Sequence, residues 1–340
     1  MKINVWFNHW FSSLASVIEN LKKNNPDIVV HVTNRDKNCV YFRFADFSYI
    51  EPQFEDDNSY VEWALKFCAD NYIDVFVVRG HNLAISQNIN KFRDIGVHLL
   101  IESYDIIQKF ESKSKTYEML RERGYTRIPE YNLVNSTEEF ISAYKKYRKD
   151  NQTVCIKLDT DEGASSFKVV SDEFLCAKSL FEPVNNLVSF ENTVNMMRDA
   201  ENKGVFRPFM VMPKMGRPEI SVDCYRLKND KLVMIPRYKL GSRIKQIKFD
   251  KNILNDCESI YDIIPFSSIC NIQYRYCRNE FKLLEINTRI SGGIHLSTLS
   301  GIDLIDVAIK ELLGLNYKIP DSLNECMISQ FETPVILYNT

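Results

Sequence analysis

The sequence contains no CxxC pair. Its nine cysteines, Cys39, Cys68, Cys155, Cys176, Cys224, Cys257, Cys270, Cys277 and Cys326, are scattered singly and odd in number. That pattern argues against a zinc knuckle and a disulfide framework, and a reducing cytoplasm is the expected home. An excess of basic charge is missing too: 43 Lys and Arg stand against 45 Asp and Glu, a formal net charge of −2. A chain that binds nucleic acid by neutralising phosphates is normally basic, so no nucleic-acid partner is expected, although a local basic pocket is compatible with this balance. No window has the length of a membrane span, and the apolar run at the start is too short for a signal peptide, so no membrane partner is expected. GxxxxGK[ST] is absent, which excludes a Walker-type triphosphate site, and no GxGxxG follows the first strand, which weakens a dinucleotide-binding reading.

What remains is ordinary soluble composition, 45% apolar and 26% charged, over 340 residues. That length exceeds one compact core and predicts two or three domains. The first hundred residues alternate strand signals (3–7, 28–32, 75–78, 97–101) with helical ones (11–22, 60–69, 89–95). Such alternation predicts βαβ units and a parallel sheet, whose ligands sit at the carboxyl ends of the strands. Asn8 and His9 follow the first strand, and Arg79, Gly80 and His81 follow the strand at 75–78. They read either as ligand contacts on the functional edge or as satisfied loop residues. A helical stretch is expected over 103–123, and Ser136 to Glu139 forms a capping box for a helix over 138–148. Strands are expected at 153–158, 167–170, 209–212, 220–227, 232–238, 269–276 and 281–287, with a closing helix over 302–313.

Chemistry concentrates in two places. On the strand at 153–158, Lys157 projects from one face, and the small residues Gly163, Ala164, Ser165 and Ser166 follow in a loop that lets backbone N–H groups approach an anion. On the strand at 281–287, Glu285 and Asn287 share a face, because side chains alternate. Arg289 and the pair Gly292-Gly293 come next. A carboxylate and an amide oxygen suit a hard cation, and arginine suits a phosphoryl or carboxylate oxygen. The plain alternatives are a hairpin with an exposed lysine and an ordinary edge strand.

Together these segments resemble the ATP-grasp superfamily, in particular the carbamoyl phosphate synthetase, biotin carboxylase and D-alanine–D-alanine ligase type. The resemblance covers roughly residues 103–313. It implies an α/β and α+β chain: a Rossmann-like pre-ATP-grasp domain over 1–102, then the ATP-grasp fold in two lobes that clamp ATP. Its segments are 103–150 (linker helix and first part), 151–212 (small lobe with phosphate flap) and 213–340 (large lobe with metal site). It also implies ATP and Mg²⁺ (or Mn²⁺) as cofactors. Gln273, Glu285 and Asn287 become metal ligands, with Gln273 near Glu285 if the last two strands form a hairpin. Lys113, with Lys115 as rival, and Lys157 become phosphate contacts, and residues 163–166 the flap. Met210, Val211 and Met212 form an adenine-binding hinge, and Glu219 lies close to the phosphates.

The resemblance implies a ligase that activates a carboxylate as an acyl phosphate for attack by an amine or related nucleophile, releasing ADP and phosphate. Arg289 and Lys157 are the expected catalytic residues. The acid and amine substrates are expected to meet Asn8, His9, Arg79, His81, the basic run Arg237, Lys239 and Arg243, and Gly292 and Gly293. Family members often form homodimers. The chain departs from the pattern at the hinge, where Met212 stands in place of a glutamate that bonds the ribose. Two other readings stay open: carboxylation or phosphorylation of a small molecule, and a nucleotide-binding module without turnover.

Overall fold

The computed structural model describes residues 2–160, 166–172, 186–278 and 280–338. These fall into two compact units, one of residues 1–110, 218–273 and 285–340, the other of residues 111–217 and 274–284.

The first unit begins with a five-stranded sheet in the order β3-β2-β1-β4-β5, with β1 Ile3–Asn8, β2 Ile28–Asn34, β3 Phe47–Ile50, β4 Val75–Val77 and β5 His98–Leu100. Every pairing in it is parallel. Helices α1 (Leu14–Asn24), α2 (Asp57–Asp70), α3 (Asn82–Gln87) and α4 (Ile89–Asp94) connect the strands. The strand order reverses between β1 and β4, and loops at the carboxyl ends of two such strands border a ligand crevice. One face of the sheet buries Trp6, stacked on Phe76 at 3.7 Å between ring centroids, together with Tyr60, Ala64 and Phe67 of α2. The other face buries Val5, Phe7, Val30 and Val32 in a core shared with Tyr225, Ile235, Ile290 and Ile305.

Tyr225 and Ile235 belong to a six-stranded sheet in the order β15-β14-β11-β12-β13-β16. Its strands are β11 Glu219–Arg226, β12 Leu232–Lys239, β13 Ile244–Ile247, β14 Cys270–Cys277, β15 Glu280–Asn287 and β16 Cys326–Ser329. In the second unit a sheet of order β6-β10-β7-β8-β9 carries β6 Asn132–Val134, β7 Val154–Leu158, β8 Lys168–Ser171, β9 Leu187–Ser189 and β10 Phe209–Pro213. Helices Thr137–Lys149 and Phe190–Asn202 pack on it through Phe140, Tyr144, Val194 and Met197.

The α/β plus α+β organisation therefore matches the sequence expectation. Three local differences have clear causes. The stretch 103–123 is two helices, Tyr104–Phe110 and Lys113–Glu122, because Ser112 is extended and caps the second by accepting from Lys115 N. Strand β3 is mostly exposed and lies at the sheet edge, so it has no alternating apolar pattern to reveal it. Strand β13, Ile-Lys-Gln-Ile, is only four residues long and directly follows the basic run ending at Arg243, so no strand is expected there.

Candidate functional site

In the first unit, β11 places Ser221 and Asp223 on one face, and Ser221 lies opposite Arg237 of β12 in the ladder. Asp223 is fully buried, and its carboxylate is saturated. One oxygen accepts from Asn271 Nδ2 at 2.7 Å. The other accepts from Arg237 Nε at 3.1 Å, Arg237 Nη2 at 2.9 Å and Ser297 Oγ at 2.6 Å. Arg237 Nη2 also reaches Ser291 Oγ at 2.9 Å. This buried, charge-assisted arrangement fixes the guanidinium plane. Gly293 lies against that guanidinium, so a Cβ there would collide with it. Gly292 lies against Phe11, where a Cβ would come within 2.7 Å of the ring. Both glycines are thus required for close approach; at Gly293 the backbone conformation is one any residue adopts.

Glu285 and Asn287 do share a face of β15, with Asn287 Nδ2 donating to Glu285 Oε1 at 3.0 Å. Gln273 on the neighbouring strand donates through Nε2 to Asn271 Oδ1 at 3.0 Å. The bonding pattern leaves the carbonyl oxygens of Asn287 and Gln273 and a Glu285 oxygen as hard donors. Among the described residues no group of three or more His, Cys, Asp or Glu forms a metal cage. A set of one carboxylate and two amides fits Mg²⁺, which keeps several waters and takes phosphate oxygens. His295 follows the glycines. Burial, reinforced by the positive charge of Arg237, lowers its pKa, so the imidazole is neutral near pH 7.

The edge of the parallel sheet adds a second group of residues. His9 and His81 both adopt left-handed backbone, φ 47° and 55°. Asn8, expected to meet substrate, is instead buried and fully committed. It donates to Tyr60 Oη at 2.7 Å and to the Gly80 carbonyl at 3.0 Å, and accepts from Arg79 N at 2.8 Å and Gly80 N at 3.2 Å. An amide so engaged has no capacity left for a ligand, so Asn8 is corrected to a structural staple. Arg79 lies over the Phe11 ring at 3.9 Å. Lys239 and Arg243 are exposed and sit near Glu219 (4.0 Å) and Glu332 (3.2 Å), outside the buried network that holds Arg237.

In the second unit, Lys157 of β7 is buried, with Nζ 3.5 Å from the carbonyl of Leu284, the residue preceding Glu285. That carbonyl also accepts from Tyr117 Oη at 2.5 Å. Lys113 is buried at the first turn of its helix, whereas Lys115 is exposed. Asp159 holds this helix start: it accepts from Ser112 Oγ at 2.6 Å, Ser114 N at 2.7 Å and Ser114 Oγ at 3.0 Å. Cys155, Met212 and Met215 form an apolar cluster with Tyr131, Phe167, Val169 and Leu284. β10 pairs with β7 along its length and with β6 as far as Val211. The backbones of Met210 and Val211 are consequently used by the sheet on both sides, and one side opens only from Met212 onward. This corrects their expected role as adenine contacts. Gly163, Ala164 and Ser165 lie outside the described residues; Ser166 Oγ accepts from Leu158 N at 2.8 Å.

The sequence reading missed Asp223, Asn271, Ser221, Ser291 and Ser297, which are common residues on strands or loops with no motif of their own. The only available signal was the polar face Glu219, Ser221, Asp223 alternating with apolar Ile220, Val222 and Cys224.

Residues 205–334, less than half of the chain, match the family described as ATP-grasp in the biosynthetic pathway with Ter operon. No curated protein matches the sequence. Solved structures do. The ADP complex of N5-carboxyaminoimidazole ribonucleotide synthetase superposes with TM-score 0.68 and 12% identity, covering 96% of this chain and 80% of that one. Biotin carboxylase of Campylobacter jejuni gives TM-score 0.66 and 16% identity over 95% and 74% of the two chains. The biotin carboxylase domain dimer of Hydrogenobacter thermophilus 2-oxoglutarate carboxylase, bound to MgADP and bicarbonate, gives TM-score 0.66 and 12% identity over 94% and 71%. The chain therefore shares the fold of these structures across nearly its whole length, and its carboxyl-terminal part is similar to an ATP-grasp family.

Proposed function

We propose that the chain is an ATP- and Mg²⁺-dependent ligase. It phosphorylates a small carboxylic acid to an acyl phosphate and transfers the acyl group to an amine, releasing ADP and phosphate. The observation that carries this reading is the combination, in one unit, of Glu285 and Asn287 with an Arg237 locked by Asp223 beside Gly293.

Lys113 and Lys157 are the cationic contacts for the nucleotide phosphates, and the burial of Lys113 favours it over exposed Lys115. The apolar cluster of Met212 and Met215 supplies a face for adenine, with backbone open from Met212 onward. Glu285, Asn287 and Gln273 would hold Mg²⁺, which would supply positive charge to phosphate oxygens. Arg237 orients the acid carboxylate with a plane fixed before substrate arrives, so little reorganisation is needed at the transition state. Arg289 follows the metal strand and is assigned to the developing acyl phosphate. Gly292 and Gly293 let Phe11 and Arg237 pack closely on the loop that borders the acid.

Bicarbonate is a second choice of acid, giving carboxyphosphate; it is supported by the bicarbonate bound to the Hydrogenobacter domain. A homodimer is proposed on the same ground, that relative being a dimer. ADP release measured against separate carboxylic acids, bicarbonate and amines tests the reading. Release that requires one acid and is raised by one amine supports the ligase; release with bicarbonate alone supports the second choice. ATP binding with no release under any combination rejects both.

A further inference from the structure

His9 is built into a constellation that the nucleotide and acid sites leave unused. Its Nε2 lies 2.5 Å from Glu51 Oε2, at ion-pair distance, and neither atom has another hydrogen-bond partner among the described residues. The Glu51 side chain is fully buried, while that of His9 is 23% exposed. The other Glu51 oxygen accepts from Thr33 Oγ1 at 2.5 Å, and Thr33 in turn accepts from Trp6 Nε1 at 3.0 Å. A buried carboxylate held from behind in this way orients the imidazole. With the Nε2 proton turned to Glu51, Nδ1 carries the lone pair.

The backbone is arranged to present this ring. His9 and His81 are both left-handed non-glycine residues, a strained conformation that persists where the surroundings impose it. The surroundings are the Asn8 staple and Gly80, whose missing side chain leaves the space the His9 ring occupies: a Cβ there would lie 2.5 Å from His9 Cδ2. The His81 ring stacks on Tyr60 at 3.8 Å, lies 5.4 Å from the His9 ring, and its Nδ1 is 2.7 Å from Asp57 Oδ1. Arg79 donates to the His9 carbonyl at 3.3 Å and covers Phe11, which packs on Gly292. A continuous set of contacts within one unit thus runs from His9 to the glycine loop beside Arg237.

We infer that His9, positioned by Glu51, is the general base that prepares the attacking amine, an inference that rests on the ligase reading. The nucleophile arrives as an ammonium ion, which cannot attack. It gives one proton to His9 Nδ1. The neutral nitrogen then forms a bond to the acyl carbon, and the carbon–oxygen bond to phosphate breaks. Phosphate leaves with the electron pair and takes the second nitrogen proton, yielding the amide and hydrogen phosphate. The charged and titratable groups around the ring are Glu51 on the loop after β3, Arg79 and His81 on the β4 loop, Asp57 and Tyr60 of α2, and Arg35 near Tyr60.

Two measurements on the full chain test this. The first is the ¹⁵N spectrum of histidine-labelled protein, which reports tautomers without any substrate. Nε2–H with unprotonated Nδ1 at His9, altered by Glu51→Gln, is expected; an Nδ1–H tautomer overturns the inference. The second compares nucleophiles with MgATP and each of acetate, succinate, citrate, glutamate and bicarbonate. Hydroxylamine, neutral at pH 7, needs no base, whereas ammonium does. His9→Gln lowers the ratio of ammonium capture to hydroxylamine capture about a hundredfold and removes the acid limb of its pH profile. The exposed control His98→Gln leaves the ratio unchanged. An unchanged ratio in His9→Gln overturns the general-base role while leaving the ligase intact. If the unaltered protein releases no acid-dependent ADP, the ligase reading itself fails and the role with it.

Discussion

Arg237 donates to the buried carboxylate of Asp223 through both Nε and Nη2, at 3.1 and 2.9 Å. Their side chains are 7% and 0% exposed. Removing one member of such a pair leaves the other charged and dry. Asp223→Ala is therefore expected to lower unfolding stability by about 3–5 kcal/mol in urea titration. A loss under about 1 kcal/mol means that Arg237 finds compensation elsewhere.

Gly293→Ala isolates the role of the guanidinium. The backbone there, φ −95°, accepts alanine without strain, so any effect comes from the methyl group pressing on Arg237. Turnover should fall at least about tenfold while melting temperature changes little, since a small displacement of a positioning group is costly to rate. Equal activity in the two proteins removes Gly293 from the acid site.

The two buried lysines are expected to bind nucleotide and the exposed one is not. By calorimetry with MgATP, Lys113→Ala and Lys157→Ala each weaken binding by about tenfold or more, roughly 1.4 kcal/mol, and Lys115→Ala changes it little. The reverse order at Lys113 and Lys115 means that the helix start is turned away from the phosphates.

Asp303 gives a pH test of folding. It caps helix Leu304–Leu312 by accepting from Ile305 N and Asp306 N, and burial pushes its pKa up from 3.8 to about 6. With the folded value above the unfolded one, its contribution is intact below about pH 4 and is lost as pH rises through 6. Asn keeps the cap and removes the charge. Asp303→Asn should therefore gain on the order of 1 kcal/mol relative to the unaltered chain at pH 7.5 and nothing at pH 4. A difference independent of pH contradicts the burial argument.

Legibility followed periodicity and local chemistry. The parallel sheet was readable because β1, β2 and β4 are short apolar runs between amphipathic helices. Glu285 and Asn287 were readable because alternation on a strand is enough to place them together. Asn8 shows the limit. Its position at a strand end was legible, but its saturation by Tyr60, Arg79 and Gly80 depends on partners 52 to 72 residues away. The same holds for Asp223, whose partners come from β12, β14 and the segment after Gly293. The free backbone of β10 was not legible, because a strand sequence does not announce where its neighbour stops: β6 ends its ladder at Asn132, opposite Val211. His9 lies on the connection after β1 and Glu51 on the one after β3, and only the sheet order brings them together.

Glu285→Gln tests the central claim most directly. It keeps the shape and hydrogen-bonding capacity of the side chain but removes the one carboxylate of the Gln273, Glu285 and Asn287 set. The measurement is Mg²⁺-dependent, acid-stimulated ADP release, alongside a melting curve to confirm folding. A fall of about a hundredfold or more in an otherwise folded protein is the predicted result. Release at the unaltered rate, with the same Mg²⁺ dependence, would place the metal elsewhere and contradict the account.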